Sequence, residues 1–159
     1  MIEKPFFKKV SYAPEDTIIP TRSTKDAAGY DFFASEDIVI PSLFKALHNG
    51  ETLKPTFVPT HIKAFIPKNM FLQLANRSGN PLKIGISMAN GVGIVDADYY
   101  NNPDNEGHIQ GIFWNMTPED VVIKKGQKIF QGIFLEYFTI ENDVVDAERG
   151  GGFGSTGGH

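Results

Sequence analysis

Short apolar segments rich in Val, Ile and Phe recur along the chain, separated by Gly and Pro: Asp37–Ile40, Phe57–Ile66, Met70–Ala75, Ile84–Ala89, His108–Asn115, Asp120–Lys124 and Lys128–Tyr137. β-Branched and aromatic side chains suit a pleated, half-buried surface, so runs of this kind bounded by turn residues predict strands. No long window places apolar residues at i, i+3, i+4 and i+7, the spacing of an amphipathic helix. The pattern predicts an all-β domain, a barrel or a sandwich. Lys128–Tyr137 departs from strict alternation, because Ile129, Phe130, Ile133, Phe134 and Leu135 leave it no polar face. A strand apolar on both sides is covered on both sides, and in so small a domain a subunit interface can supply the second cover.

Between the strands the polar stretches are informative. Leu43–Thr56 contains the turn signal Asn49-Gly50 and is expected to be a long hairpin loop. Asn101-Asn102-Pro103-Asp104-Asn105-Glu106-Gly107 has the composition of a solvated turn, with Asp104 and Glu106 as an alternative metal pair. From Glu148 onward the chain reads ERGGGFGSTGGH, too glycine-rich for a helix or a packed strand. Residues 1–147 are therefore expected to form the domain and 148–159 a flexible C-terminal segment. That segment is either a floppy end or a lid whose one aromatic, Phe153, closes on a flat ligand.

Composition narrows the function. Hydrophobic residues make up 41% and charged residues 21%, a globular balance in a chain of 159 residues that fits one domain. The net charge of -4, without a long Lys/Arg run, argues against nucleic-acid binding as the main task. The absence of cysteine excludes disulfides, thiolate nucleophiles and thiolate zinc sites. His48, His61, His108 and His159 show no helical zinc spacing and are expected to be surface or internally satisfied groups. The N-terminus lacks a signal-peptide apolar core and no run is long enough to span a bilayer, so a cytoplasmic location is expected, without a membrane partner.

Three clusters can carry chemistry. In Asn76-Arg77-Ser78-Gly79-Asn80-Pro81, Arg77 offers a planar fork for phosphate oxygens, Ser78 a hydroxyl, and Gly79 close backbone approach. Alone it is equally an ordinary turn. In Asn90-Gly91-Val92-Gly93-Ile94-Val95-Asp96-Ala97-Asp98-Tyr99-Tyr100, Asn90-Gly91 predicts a tight hairpin turn. Asp96 and Asp98 on an extended segment would share a face, where a carboxylate can activate water, or they simply cap backbone amides. Asp31 and Gln131 are polar residues on otherwise apolar segments and need partners.

Taken in order, these clusters resemble the five motifs of the homotrimeric dUTPase family: Ala28-Gly29-Tyr30-Asp31; Arg77-Ser78-Gly79; Asn90 through Gly93-Ile94-Val95-Asp96-Ala97-Asp98-Tyr99; Gly126-Gln127-Lys128-Ile129-Phe130-Gln131; and Arg149 through Gly157. Each is weak alone; five in order over residues 26–157 form a specific signal. The resemblance implies a jelly-roll-like β-barrel of the dUTPase-like, β-clip type, assembled as a homotrimer with a C-terminal tail, its three sites at subunit interfaces. It implies Mg²⁺-dependent hydrolysis of dUTP to dUMP and pyrophosphate. In that scheme Asp96 is the general base for water attack on the α-phosphorus. Asn90 and the backbone around Gly93 and Val95 read uracil, and Tyr99 packs under the deoxyribose and excludes a 2′-hydroxyl. Arg77, Ser78, Gly79 and Lys128 hold phosphates. Gln131 meets the substrate, and Asp31 meets the metal through bound water. Phe153 with Gly154 stacks on the base, while Arg149, Ser155 and Thr156 contact the terminal phosphates.

Four departures from the family pattern stand out. Lys128 occupies a position where relatives usually carry arginine, keeping the charge but losing the bidentate fork. The fifth motif is one residue shorter between Arg149 and Phe153. Asn101–Glu106 is inserted after Tyr99, and Leu43–Thr56 is longer than the usual connection. The alternatives are a dCTP deaminase or a bifunctional deaminase and dUTPase on the same fold, and a dUTPase-fold regulator whose two long loops meet a protein partner.

Overall fold

The computed structural model describes residues 3–147 and Gly152. Its elements run β1 (Phe6–Lys9), β2 (Tyr30–Phe33), β3 (Ile38–Ile40), α1 (Leu43–His48), β4 (Thr56–Phe65), β5 (Met70–Asn76), β6 (Ile86–Met88), β7 (Val92–Val95), β8 (Ile109–Asn115), β9 (Val121–Ile123) and β10 (Lys128–Glu136). Two four-stranded sheets, ordered β1-β4-β8-β6 and β2-β10-β5-β7, are accompanied by the pair β3-β9. Every strand pair is antiparallel. The all-β class expected from the apolar runs is thus observed.

Alternation explains the core. Along β8 the inward positions Ile109, Gly111, Phe113 and Asn115 are buried while their neighbours are half-exposed. Val58, Ile62, Ile86 and Phe113 from one sheet share a core with Phe32, Leu72, Leu74 and Phe130 from the other. Burying an aliphatic or aromatic side chain of this size contributes roughly 1.5–3 kcal/mol.

Two bulges break the alternation. In β10 the register slips between Lys128 and Phe130 against β2, which inserts one residue. Ile129 and Phe130 are consequently both fully buried. Their two-sided apolarity is satisfied inside one chain, so it does not by itself call for a partner subunit. Beyond the bulge Leu135 points outward and is 37% exposed, on the same sheet as Val92 at 48% and Ile94 at 54%. In β4 the pairing jumps from Pro59 to Ile62 while β8 advances by one residue, and His61 takes a φ of +54°. The two looped-out amides are met by one side chain: His108 Nε2 accepts from Thr60 N at 3.2 Å and from His61 N at 2.7 Å. The His108 ring stacks on His61 at 4.7 Å.

This arrangement makes stability depend on pH. Burial, and then the neighbouring His61, push the His108 imidazole down to about 4; burial lowers His61 too. The folded state therefore holds these rings neutral. Their contribution is complete above the unfolded value near 6.5 and is lost as pH falls from there toward 4. Unfolding free energy measured by urea titration should drop by about 2 kcal/mol across that window, after discounting for solvent screening. His108→Asn, whose amide oxygen accepts without titrating, should flatten the slope; an unchanged slope would place the titration elsewhere.

Three expectations are corrected. Leu43–Thr56 is not a plain hairpin loop, because its first part forms α1, opened by Ser42, whose hydroxyl accepts from Lys45 N at 3.3 Å. The strand expected from Ile84 starts only at Ile86, since Asn80–Ile84 is a π-helical turn closed by Gly85 at φ +69°. A Cβ at Gly85 would lie 2.2 Å from Thr117 Cγ2, so the turn and its packing both require glycine there. Asn90-Gly91 does turn the chain, with Gly91 N bonded to Met88 O at 3.2 Å. The strands it joins are not paired with each other, however: β6 pairs with β8 in one sheet and β7 with β5 in the other. The turn is a crossing between sheets, not a β-hairpin.

Candidate active site

Strand β5 runs into Arg77-Ser78-Gly79, and buried amides fix that turn. Asn80 Nδ2 donates to Asn76 Oδ1 and to Ile129 O, both at 2.6 Å, while Arg77 N donates to Asn76 Oδ1 at 3.0 Å. The π-helical turn begins there, a geometry that recurs at functional positions. Beside it β2 presents Asp31 and β10 presents Lys128 and Gln131, with Gln131 opposite Asp31 in register.

These residues meet around one carboxylate. Asp31 Oδ1 lies 3.1 Å from Arg77 Nε, and Oδ2 lies 2.8 Å from Lys128 Nζ and 2.5 Å from Ser23 Oγ. Lys128 Nζ also donates to Ser23 Oγ at 2.7 Å. Burial disfavours the charge on Asp31, yet hydrogen bonds from Lys128 and Ser23 and the charges of Arg77 and Lys128 outweigh it, holding its carboxyl below the ordinary range. A cleft of about 660 Å³ opens over the cluster, lined among others by Gly29, Asp31, Arg77, Ser78, Gly79 and Lys128. Two cations, a hydroxyl and a glycine turn on one wall suit a polyanion. Gln131 also lines this cleft. A Cβ at Gly29 would sit 2.4 Å from Gln131 Oε1, so a larger residue there must push the Gln131 side chain aside.

The chain carries Asn90, Gly93, Val95, Asp96 and Tyr99 elsewhere; none lines this cleft. Asn90 and Asp96 are exposed, Val95 is in the core, and Gly93 lies against the Leu74 side chain. Asp96 follows the end of β7, where Val95 pairs with Leu72, whereas Arg77 leaves the other end of β5. Val95 sits level with Leu72, five residues of strand or about 17 Å from Arg77 at about 3.4 Å each, and Asp96 lies one residue further on. The backbone is extended only as far as Asp96; Ala97–Tyr99 is a 3-10 turn, so Asp96 and Asp98 do not share the face of a strand as expected. Tyr99 is buried, and its hydroxyl donates to His108 O at 3.0 Å and accepts from Asn105 Nδ2 at 2.8 Å. Gly152 touches it: a Cβ there would lie 2.7 Å from Tyr99 Cε2.

The loop 101–107 is a turn exposed at Asn101, Pro103 and Asp104, as expected, and it is also anchored to the body of the domain. Glu106 pairs with Lys63 at 2.9 Å and accepts from Ser11 N at 3.0 Å and from the Ser11 hydroxyl. The hydrogen bonds from Ser11 and Lys63 draw its carboxyl down to about 2. Among the described residues no group of three His, Asp or Glu side chains could hold a metal ion, and no helix is long and apolar enough to cross a membrane. Arg149, Phe153, Gly154, Ser155 and Thr156 lie outside the described residues. The sequence alone did not single out Ser23 or the lining residues Leu82 and Lys83; Ser23 is 105 positions from Lys128, and only the fold brings them together.

Comparison with known proteins gives one answer. The dUTPase family model matches residues 15–157. The deoxyuridine 5′-triphosphate nucleotidohydrolase of Lactococcus lactis is 43% identical over 141 residues, covering 87% of each chain. That of Candida glabrata is 36% identical over 156 residues, covering 94% of this chain and 95% of the other. Among solved structures, the dUTPase from Streptococcus mutans superposes with a TM-score of 0.77 at 36% identity, over 86% of this chain and 99% of that one. A mutant dUTPase from phage phi11 of S. aureus, described for its coordination of a structural Mg(II) ion, has a TM-score of 0.67 at 18% identity and covers 91% of this chain and 98% of its own.

Proposed function

The chain belongs to the dUTPase family, and from that premise we propose that its hydrolysis of dUTP to dUMP runs by water attack on the α-phosphorus, in sites completed between copies of the chain. The observation that carries this reading is the division of the motif residues into two sets. Asp31, Arg77, Ser78, Gly79, Lys128 and Gln131 share the cleft, while Asn90–Tyr99 lie outside it. A second copy presenting its Asn90–Tyr99 segment to the cleft would unite them. The exposed Val92, Ile94 and Leu135 supply apolar surface for such a contact. A closed homotrimer with three equivalent sites is the assembly we propose.

Within one site the roles follow from chemistry. Arg77, Lys128 and the Ser78 hydroxyl hold the phosphate chain and offset its charge. Asp96 takes a proton from water as the new P–O bond forms, the α–β bridging bond breaks, and pyrophosphate departs with that bond's electrons. Asn90 and the backbone at Gly93 and Val95 pair with the uracil edge, so cytosine, with donor and acceptor reversed, leaves buried groups unpaired. Val95 is itself in the core, so its contribution is through the main chain. Tyr99 packs against the deoxyribose. We read residues 1–147 as the domain and the Gly-rich segment 148–159 as its lid, with Arg149, Phe153, Gly154, Ser155 and Thr156 on the base and terminal phosphates. The closeness of Gly152 to the Tyr99 ring supports that reading.

Mg²⁺ fits this arrangement. Asp31 is held ionised beside the phosphate-binding cations, and a metal that keeps several waters needs only such an outer-sphere acceptor, not a cage of protein ligands. Held there, it would supply positive charge to offset that of the phosphates.

Pyrophosphate release should be confined to dUTP when dUTP, dTTP, dCTP and UTP are compared, and light scattering should return the mass of three chains. Comparable turnover of dTTP or UTP, or an active monomer, would refute the site as assembled here. Gly29→Ala should raise KM for dUTP by about tenfold by displacing Gln131 while stability changes by less than about 1 kcal/mol, because the obstructed atom is the end of a flexible side chain. Steady-state kinetics beside a melting curve would check it.

A further inference from the structure

We propose that the loop 101–107 is a positioning device for Tyr99, with Asn105 as its working residue, and that it sharpens discrimination against ribonucleotides; this rests on the reading of Tyr99 as the sugar-facing ring. Asn105 faces two ways. Its Nδ2 donates to the Tyr99 hydroxyl at 2.8 Å, and its Oδ1 accepts from Gly107 N at 3.0 Å. The Tyr99 hydroxyl passes its own proton to His108 O at 3.0 Å. The phenol is thereby held at its tip by one donor and one acceptor, which fixes where the ring face lies.

The loop that delivers Asn105 is itself anchored. Glu106 is tied to Lys63 on β4 and to Ser11, and Lys63 Nζ also reaches Asn101 Oδ1 at 2.7 Å. Asn102 N donates to Tyr99 O at 3.2 Å, and Asp104 N to Asn102 Oδ1 at 2.8 Å. Gly107, at φ +80°, lies so close that a Cβ would stand 2.4 Å from the Tyr99 carbonyl oxygen. The loop therefore closes directly on the residue whose ring must leave room for a 2′-hydrogen and none for a 2′-hydroxyl. A ring free to tilt by a fraction of an ångström would admit the larger group, since steric exclusion depends on a wall that does not yield.

Three variants separate the alternatives. Tyr99→Phe keeps the ring and removes both tip bonds. Asn105→Asp keeps the acceptor for Gly107 N and puts a carboxylate oxygen, an acceptor, where the donor to the phenol stood. Tyr99→Ala removes the ring. The quantity to measure is the ratio of kcat/KM for dUTP to that for UTP, with a melting curve for each variant. Tyr99→Ala should collapse the ratio. Asn105→Asp should lower it by about fivefold, the equivalent of one net hydrogen bond, with kcat for dUTP little changed, and Tyr99→Phe, which loses both tip bonds, should lower it by at least as much, in each case through faster UTP turnover relative to dUTP. If Tyr99→Ala leaves the ratio intact, the sugar-facing reading fails and the proposal with it. If Tyr99→Ala collapses it while Tyr99→Phe and Asn105→Asp stay within twofold of wild type, the reading stands and the positioning role is refuted. Should Asn105→Asp not fold, Tyr99→Phe decides alone.

Discussion

Asp96→Asn is expected to lower kcat for dUTP by about a thousandfold, within the range a positioned general base supplies. Asparagine keeps the shape of the side chain and its place after β7 but cannot accept a proton from water. The position is exposed and begins a short 3-10 turn rather than filling the core, so the melting temperature should move by no more than a degree or two. Binding should survive, because phosphates and base are held by other residues; equilibrium titration with dUTP would show an affinity close to wild type beside negligible turnover. Activity above about a tenth of wild type would mean that another group activates the water.

The second large effect is a gain. Asp96→Asn and Arg77→Ala chains should each be nearly inactive alone, yet recover activity when unfolded together and reassembled. The phosphate-holding residues and the base lie at opposite ends of β5 in one chain, and a site uniting two chains needs only one intact set from each. Random pairing in closed trimers gives about a quarter of sites with both sets intact, so about a quarter of wild-type activity should return. Additive, near-zero activity in the mixture would show that each chain builds its site alone. Arg77→Ala also leaves Asp31, which is 10% exposed at the side chain, with one fewer cation; some loss of stability in that variant is expected and is separable by melting.

Much of the fold was legible because strands declare themselves through local alternation, as β8 does residue by residue. The helix Leu43–His48 was not legible for the same reason in reverse: it buries no residue, so no amphipathic period marks it, and only Ser42 as a cap betrays its start. Asn90-Gly91 reports a turn faithfully but says nothing of which strands pair on either side. β1 hides behind Lys8 and Lys9, charges that suit an edge strand. At the site, Asp31 and Gln131 could be singled out as polar residues on apolar segments and Arg77 as a fork for phosphate, but Ser23 and the amide bracing of Asn80 could not. Their roles exist only once residues tens of positions apart are folded together, and a single sequence carries no local trace of that.

The helix has a consequence of another kind. It is held by the Ser42 cap and by ion pairs from Lys45 to Glu119 and Asp120, all at its first turn, and the chain from Glu51 to Lys54 is exposed. Lengthening a surface connection costs only about 0.6 kcal/mol per doubling. Residues 47–54 are thus where a lineage can gain or lose sequence with little penalty, and where an epitope or a fluorophore can be grafted without disturbing the sheets.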